Sequence, residues 1–227
     1  MTHPLDRPVW NALTTRQAEL AVASGAAVRI DPDYGPFAAA LDTGEAAQAA
    51  LVATLRGPDD RIGVVEREAW PGPPGAKVLG GGDLVQMVHD GTVPAMPDDA
   101  RIELLGAGDA AEMAALAYAT EPGPWGGTTH LYGDYFGIRI GGRLAAMAGE
   151  RLKLPGLAEL SAVSTWPEFR GQGLAAALAR RVVRGFLDRA DVPFLHCYAA
   201  NVAADALYDK LGFRVRARLT FTILALA

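Results

Sequence analysis

Apolar residues recur every four positions between residues 173 and 190, and charged residues occupy many of the positions between them. The repeat consists of Leu174, Leu178, Val182 and Phe186, and the charged positions are Arg180, Arg181, Arg184, Asp188 and Arg189. This spacing predicts an amphipathic α-helix with one buried face. Short, largely apolar runs at 159–165 and 192–198 flank the helix and have the pattern of strands.

The first hundred residues also alternate between strand and helix patterns. Strands are predicted at 27–30, 62–66 and 83–88, and helices at 14–23 and 44–55. Gly80-Gly81-Gly82 is most simply explained as a loop. The stretch from Pro94 to Asp99 is the expected boundary, so we predict two units, residues 1–98 and residues 99–227.

A glycine-rich turn joins the run at 159–165 to the amphipathic helix. Its sequence is Arg170-Gly171-Gln172-Gly173-Leu174-Ala175. Gly171 and Gly173 lack a Cβ atom, so a ligand can approach the backbone closely. The first N–H groups of a helix have no intrahelical partner, and the helix dipole favours negative charge there, so a diphosphate fits such a turn. Taken alone, the pattern is also typical of a tight turn that binds nothing.

A second helix pattern follows the run at 192–198. Asn201 is a favoured N-cap residue and Gly212 a C-cap. The apolar face carries Ala204, Leu207, Tyr208 and Leu211. By itself this predicts an ordinary amphipathic helix with a tyrosine in the core. The order of strand, glycine turn, helix, strand and Asn-initiated helix with a tyrosine is much more specific than either part.

The region from Arg101 to Thr222 resembles one complete domain of the GNAT superfamily of N-acetyltransferases. The family pattern Arg/Gln-x-x-Gly-x-Gly/Ala, which binds the pyrophosphate of coenzyme A, matches Arg170, Gly173 and Ala175. The resemblance implies that the preceding strand binds the pantetheine arm through its backbone, and that Tyr208 is the general acid that protonates the departing thiolate. The implied coenzyme A-binding residues are Val163, Ser164, Thr165, Arg170, Gly171, Gln172, Gly173, Leu174, Ala175, Ala176, Asn201 and Tyr208.

The resemblance also implies a fold and a reaction. The expected fold is α/β, with a mixed, largely antiparallel sheet flanked by helices. Because strand and helix patterns alternate in residues 1–98 without a glycine turn or an Asn/Tyr helix, we expect this part to be a degenerate, non-catalytic GNAT-like unit that shapes the acceptor pocket of the catalytic domain at 99–227. The expected co-substrate is acetyl-coenzyme A, and a small-molecule amine or amino-acid-like acceptor receives the acetyl group directly. More narrowly, the segments 148–152 and 193–196 resemble the branch that includes glycine N-acyltransferase-like proteins.

The general base is left open between two glutamates and water. An amine acceptor is mostly protonated at neutral pH and must lose a proton before it attacks. Glu159 lies on the strand that leads to the glycine turn, where some members of the family place a catalytic glutamate. Glu150 on the preceding strand is the rival, and either residue is also explained as part of an ion pair. Proton loss through water would need neither residue.

Three alternative functions remain open from the sequence. A GNAT fold could bind coenzyme A without catalysis, or use a longer acyl-coenzyme A as donor. The third is a nicotinamide-dependent oxidoreductase, because Gly106-Ala107-Gly108 matches the dinucleotide fingerprint in form. That fingerprint needs a second parallel strand and an acidic residue about twenty positions on. A loop follows at 121–127 instead, and Asp109 with Glu112 is better explained as a capping box.

Composition narrows the class of protein further. The net charge of −5, from 21 basic and 26 acidic residues, argues against general nucleic-acid binding. No apolar run approaches the roughly 18 residues of a membrane span. The N-terminus lacks the pattern of a secretory signal, so we expect a cytoplasmic protein without a membrane partner. The scattered histidines and the single Cys197 give no metal-ligand spacing and no internal disulfide, so no metal is expected. The oligomeric state, including a homodimer, is left open.

Overall fold

The computed structural model describes residues 3–92, 95 and 101–227. Within these residues the helices are α1 (Pro8–Leu13), α2 (Glu45–Val52), α3 (Ala110–Thr120), α4 (Leu174–Asp188) and α5 (Val202–Lys210). The strands are β1 (Ala21–Ser24), β2 (Ala27–Ile30), β3 (Ala38–Ala40), β4 (Ile62–Glu66), β5 (Ala76–His89), β6 (Ile102–Leu105), β7 (Tyr135–Ile140), β8 (Arg143–Leu154), β9 (Leu157–Thr165), β10 (Val192–Tyr198) and β11 (Phe213–Leu226). No helix in this described part is long and apolar enough to span a membrane.

Eight strands form the main sheet, in the order β4-β11-β5-β10-β9-β8-β7-β6. The pair β9 and β10 is parallel, and the other neighbouring pairs of this sheet are antiparallel. The predicted α/β class with a mixed, largely antiparallel sheet is therefore confirmed. β1, β2 and β3 form a separate small sheet.

The main sheet has a packed core on each face. Because side chains alternate along a strand, neighbours on β5 and β10 enter different cores. Val85 and Leu195 pack with the apolar face of α4, and this core also contains Tyr208 of α5. Leu84 and Phe194 pack with Leu5, Val9, Ala12 and Leu13 from the N-terminal segment. The N-terminal chain therefore covers one face of the sheet that carries α4 and α5 on the other.

Strands from both sides of the predicted boundary pair in this one sheet, since β5 lies between β11 and β10. The boundary itself, between residues 98 and 99, lies outside the described residues. The division into units 1–98 and 99–227 stays a prediction.

Two predicted elements in the N-terminal part are wrong. Residues 14–23, predicted as a helix, instead begin at the C-cap of α1 and contain a 3₁₀ turn at Ala18–Leu20 and most of strand β1. The Thr14 hydroxyl donates to the Trp10 carbonyl at 2.7 Å as α1 ends, and Gly25 at φ 54° then turns the chain so that β1 pairs with β2. Local side-chain bonds and the hairpin thus outweigh helix propensity.

The Gly80-Gly81-Gly82 stretch is part of β5 and not a loop. A Cβ atom at Gly81 would lie 1.7 Å from the carbonyl oxygen of Phe221 on β11, so only glycine allows this approach. Gly81 is needed for strand pairing, which the sequence pattern did not reveal.

A buried ion pair joins the small sheet to the loop before β4. Arg29 of β2 has only 2% of its side chain exposed, and its Nη1 and Nη2 both bind the Asp60 carboxylate. Arg29 also donates to the carbonyl oxygens of Thr54 and Arg61, at 2.8 and 3.3 Å. The hydrogen bond from Arg29 is the main cause that lowers the pKa of Asp60 to about 2, against the opposing effect of burial.

We predict that Asp60→Asn lowers the free energy of unfolding by roughly 3 kcal/mol at pH 7, because it leaves Arg29 buried without its counter-charge. Since the folded-state pKa of Asp60 is lowered, the stabilisation is present above the unfolded pKa and is lost as the pH falls towards 2. Chemical denaturation between pH 7 and pH 2 should therefore show the difference from wild type shrinking below about pH 4. The exposed neighbour Asp59→Asn is the control, and an equal loss of stability in both variants would contradict the prediction.

Candidate active site

β9 and β10 separate after a short paired segment and leave a cleft between them. Their pairing covers Leu157–Glu159 on β9 and Val192–Phe194 on β10, and no further pairs form between these strands among the described residues. Ala162 of β9 has φ 52° and lies in a bulge against β8, between the pairs Gly149–Ser161 and Met147–Ser164. A bulge bends a strand locally. Beyond Glu159, backbone groups of β9 that face β10 are thus available to a ligand.

The glycine turn lies at one end of this cleft, between β9 and α4. Gly171 and Gly173 have φ 77° and 76°, a conformation that favours glycine. A Cβ atom at either position would meet no atom of the described residues within 4 Å, so the turn faces open space within this part of the chain. Among the same residues, no side chain caps the N-terminus of α4. Free N–H groups and the helix dipole at this turn suit an anion, and binding of a pyrophosphate there stays a prediction.

Two buried hydroxyl groups lie on β9 beside the turn. Ser164 Oγ and Thr165 Oγ1 have no hydrogen-bond partner in the described part of the chain. Buried polar atoms without a partner are unusual in native proteins. Together with the open glycine turn, they fit a ligand that carries both a diphosphate and amide groups, as coenzyme A does.

Tyr208 lies across the cleft on α5. Asn201 caps this helix, with Oδ1 accepting from the Ala204 amide at 3.2 Å. The Tyr208 ring packs edge-on against Phe213, with 5.9 Å between centroids, and its hydroxyl makes no hydrogen bond to the described residues. Burial, with a contribution from Cys197, raises the pKa of Tyr208 well above its usual range. The phenol is therefore protonated at neutral pH and free to donate.

Cys197 lines the same cleft as an inert thiol. Burial and the nearby Asp205 carboxylate raise the pKa of Cys197 to about 12. Because the thiolate is the nucleophilic form, this cysteine is unreactive at neutral pH.

The cleft contains two adjoining cavities. The larger, of about 360 Å³, extends between β9 and β10. The smaller, of about 150 Å³, lies over the glycine turn. The two share Thr165, Arg170, Ala175 and Leu207. A bound molecule can therefore extend from the turn into the space beside Tyr208.

The structure brings most of the predicted binding residues to these two cavities. The larger cavity is lined by Val163, Ser164, Thr165, Arg170, Ala175, Asn201 and Tyr208. The smaller is lined by Gly171, Gly173, Leu174 and Ala176 as well. Gln172 is exposed and lines neither.

Glu159 lies in a buried network and lines neither cavity. Its oxygens accept from Arg151 Nε at 2.9 Å and Nη2 at 2.6 Å, from His196 Nδ1 at 2.6 Å, and from the Leu152 amide at 3.2 Å. Burial alone would raise the pKa of Glu159, but the contacts with Arg151 and His196 outweigh it and hold the pKa well below its usual range. Such a carboxylate is a weak proton acceptor.

The partners of Gln86 determine the protonation of His196. Gln86 Oε1 accepts from Arg216 Nη1 at 2.6 Å, so Gln86 Nε2 is the donor, both to the Leu5 carbonyl at 2.8 Å and to His196 Nε2 at 2.9 Å. His196 Nε2 must then accept, and Nδ1 carries the proton that binds Glu159. His196 is therefore a neutral imidazole with both nitrogens occupied.

Glu150 is bound elsewhere. Its oxygens contact Arg189 Nη2 at 2.6 Å and Lys153 Nζ at 2.8 Å, and it lines neither cavity. Within the described residues, the acidic group that lines the larger cavity is the exposed Glu121, just after α3.

The deep end of the larger cavity contains residues that the sequence analysis did not select. Phe37, Val65, Leu84, Leu152 and Phe221 form an apolar wall there. Arg151 and His196 add polar edges. Arg151, Leu152 and His196 lie in segments 148–152 and 193–196, but the resemblance gives them no role, and the other residues belong to no motif because they lie far apart in the sequence.

The Gly106 segment does not form a dinucleotide site. β6, which precedes it, pairs antiparallel with β7 at one edge of the sheet, so the parallel strand of a dinucleotide fold is missing. The predicted capping box of Asp109 with Glu112 is also wrong. Asp109 Oδ2 accepts from the Gly106 amide at 2.8 Å, while Glu112 Oε2 accepts from Arg139 at 2.5 Å. The described residues contain no cluster of three or more ligands suited to a metal.

Comparisons with known proteins agree with this geometry. The family model described as FR47-like protein matches residues 135–222. A GNAT-family protein from Novosphingobium aromaticivorans DSM 12444 is 53% identical, with a TM-score of 0.94 and 100% of both chains covered. No curated protein matches the sequence.

Two more distant structures share the fold. A GCN5-related N-acetyltransferase from Kribbella flavida has a TM-score of 0.62 at 19% identity, over 96% of this chain and 95% of that one. A GCN5-related N-acetyltransferase-like protein from Streptococcus suis 89/1591 has a TM-score of 0.61 at 15% identity, over 96% and 93%. From the identity and full coverage of the Novosphingobium protein, together with the separated strands and glycine turn, the chain belongs to the GNAT family of acetyltransferases.

Proposed function

We propose that this protein transfers an acetyl group from acetyl-coenzyme A directly to the amine of a small-molecule, amino-acid-like acceptor. The observation that carries the proposal is the cleft between β9 and β10, which begins at an uncapped helix N-terminus and leads past Tyr208. In this proposal, Gly171, Gly173 and the first turn of α4 bind the pyrophosphate. The backbone of Val163 to Thr165 holds the pantetheine arm.

The chain's residues then have distinct tasks in the transfer. The acceptor amine forms a C–N bond to the acetyl carbon, and the C–S bond of the thioester breaks. Tyr208 gives its hydroxyl proton to the sulfur that leaves, which its place in the cleft and its free hydroxyl support. The N-terminal part supplies Phe37, Val65 and Leu84 to the acceptor end, in keeping with a role for residues 1–98 in shaping that pocket.

The finer assignments rest on the sequence resemblance. Membership of the glycine N-acyltransferase-like branch is proposed from segments 148–152 and 193–196. A cytoplasmic location remains a prediction.

The donor site can be tested with a charge at the first turn of α4. Ala175→Asp places a carboxylate in both cavities, while an acidic residue there suits the helix dipole and should not destabilise the free protein. Coenzyme A should raise the melting temperature of wild type by mass action and raise that of the variant far less. Ala177→Asp is the control, because it puts the same charge on the same turn but outside both cavities, and coenzyme A should stabilise it as it does wild type. Equal stabilisation of Ala175→Asp and wild type would contradict the assignment.

For the proton donor, we predict that Tyr208→Phe reduces turnover by about 10²- to 10⁴-fold while the affinity for coenzyme A changes little. The ring and its contact with Phe213 remain, and no hydrogen-bond partner among the described residues is left unsatisfied. Single-turnover thiol release measures the step, with the exposed Tyr118→Phe as control. If the single-turnover rate of Tyr208→Phe equals that of wild type, Tyr208 is not the proton donor and its role is structural.

We further propose that the acceptor's proton leaves through water and not through Glu159 or Glu150. The wild-type rise of kcat/KM with pH should follow the amine pKa of each acceptor, and Glu159→Gln and Glu150→Gln should keep that rise. Glu159→Gln should also lose roughly 3 kcal/mol of stability, because it removes the counter-charge of the buried Arg151. Loss of the alkaline rise in one variant would identify that glutamate as the base. Glu121→Gln is a third variant, and the same loss there would transfer the role to Glu121.

A further inference from the structure

Arg151 presents one unused edge of its guanidinium group to the acceptor end of the larger cavity. Nε and Nη2 are occupied by the two oxygens of Glu159. Nη1 makes no hydrogen bond to the described residues, although the side chain is only 11% exposed and lines the cavity. A nearly buried guanidinium nitrogen with two free N–H groups is a donor for a ligand atom that comes from the cavity.

The backbone around Arg151 keeps this edge in place. Arg151 lies where the β8–β9 register shifts, between the pairs of Glu150 and Lys153. Gln17 spans this irregular segment, with Nε2 donating to the Arg151 carbonyl at 2.9 Å and Oε1 accepting from the Lys153 amide at 3.0 Å. Gly123 packs against the guanidinium so closely that a Cβ atom there would lie 3.3 Å from Nη1. Glu159 and Gly123 thus position the guanidinium, and Gln17 fixes the backbone that carries it, before any acceptor binds.

The surroundings of Nη1 favour an acceptor with one anionic end and an apolar body. Phe37 lies under the guanidinium, with 5.1 Å from Cζ to the ring centroid, and Val65, Leu84 and Phe221 continue the apolar wall. Arg151 and Arg170 are the cationic residues among the described lining, and Arg170 belongs to the opposite, donor end. Glu121 supplies a negative charge to the same cavity, which suits an ammonium group.

From this arrangement we infer that the acceptor is an α-amino acid with an apolar side chain, whose carboxylate binds Arg151 Nη1 in a charge-assisted hydrogen bond. The inference rests on the proposed acetyl transfer and names the acceptor class for it. The amino acid's side chain packs against Phe37 and Phe221, and its amine is directed to the thioester beside Tyr208. Arg151 therefore determines specificity and takes no proton.

Wild-type enzyme tests this with three acceptors of the same side chain. Leucine carries a carboxylate, leucine amide carries a neutral amide in its place, and 3-methylbutylamine carries neither group. Leucine should have a kcat/KM at least about tenfold above both others, as expected for a hydrogen bond to a charged group. The amine of leucine amide is less basic than that of leucine, so a larger fraction of it is unprotonated and able to react at neutral pH. Amine reactivity alone would therefore favour the amide, and a preference for leucine must have another cause. In the presence of coenzyme A, leucine should also raise the melting temperature more than leucine amide does.

Variants separate recognition from stability. Arg151→Lys keeps a positive charge opposite Glu159 but loses Nη1, so kcat/KM for leucine should fall at least tenfold while that for 3-methylbutylamine changes little. If that variant folds poorly, the double variant Arg151→Met/Glu159→Gln removes both charges together and should show the same collapse of preference. The half-buried Arg184→Ala, on α4 and outside both cavities, controls for loss of an arginine elsewhere.

The outcomes distinguish this inference from the proposed function. Acetylation of the amines with no preference for leucine, or a preference that survives Arg151→Lys, overturns the role of Arg151 and leaves acetyl transfer standing. Binding of coenzyme A without thiol release for any amine overturns the proposed function and this inference with it.

Discussion

The buried carboxylate of Glu159 holds together the point where β9 and β10 part. Glu159 is the last residue of β9 that pairs with β10, and its oxygens bind Arg151 of β8 and His196 of β10. One charge therefore links the strands on both sides of β9. A carboxylate with no exposure is tolerated only when such partners surround it. The orientation of the Arg151 guanidinium and the tautomer of His196 both depend on this contact.

Features set by neighbouring atoms could be predicted from the sequence. Gly173 has the left-handed conformation needed before α4, and Asn201 caps α5 through its own side chain. The helix α4 could also be predicted, because its apolar residues repeat within one continuous segment and form one face. These elements bound the donor side of the cleft, so that side could be outlined without a structure.

The acceptor side could not be predicted, because its residues meet only in the folded sheet. Phe37 and Leu84 reach the cavity because the N-terminal chain packs on the sheet and β5 enters it between β11 and β10. Glu159 could be chosen from its place on a strand. The number of donors around its carboxylate, which decides its pKa, depends on a strand irregularity at Arg151 that the sequence pattern does not reveal.

The pairing of β5 with β11 also sets the order in which the chain can fold. These strands pair from Ala76–Leu226 to His89–Phe213, so the centre of the sheet closes through contacts between distant parts of the sequence. Contacts of this kind form slowly, since a long loop must be closed before they give any stabilisation. During synthesis, β4 and β5 are made long before β11, and until then the backbone groups that will pair with β11 are free to pair with other chains. Until β11 enters the sheet, the nascent protein therefore has unpaired strand edges through which it can aggregate.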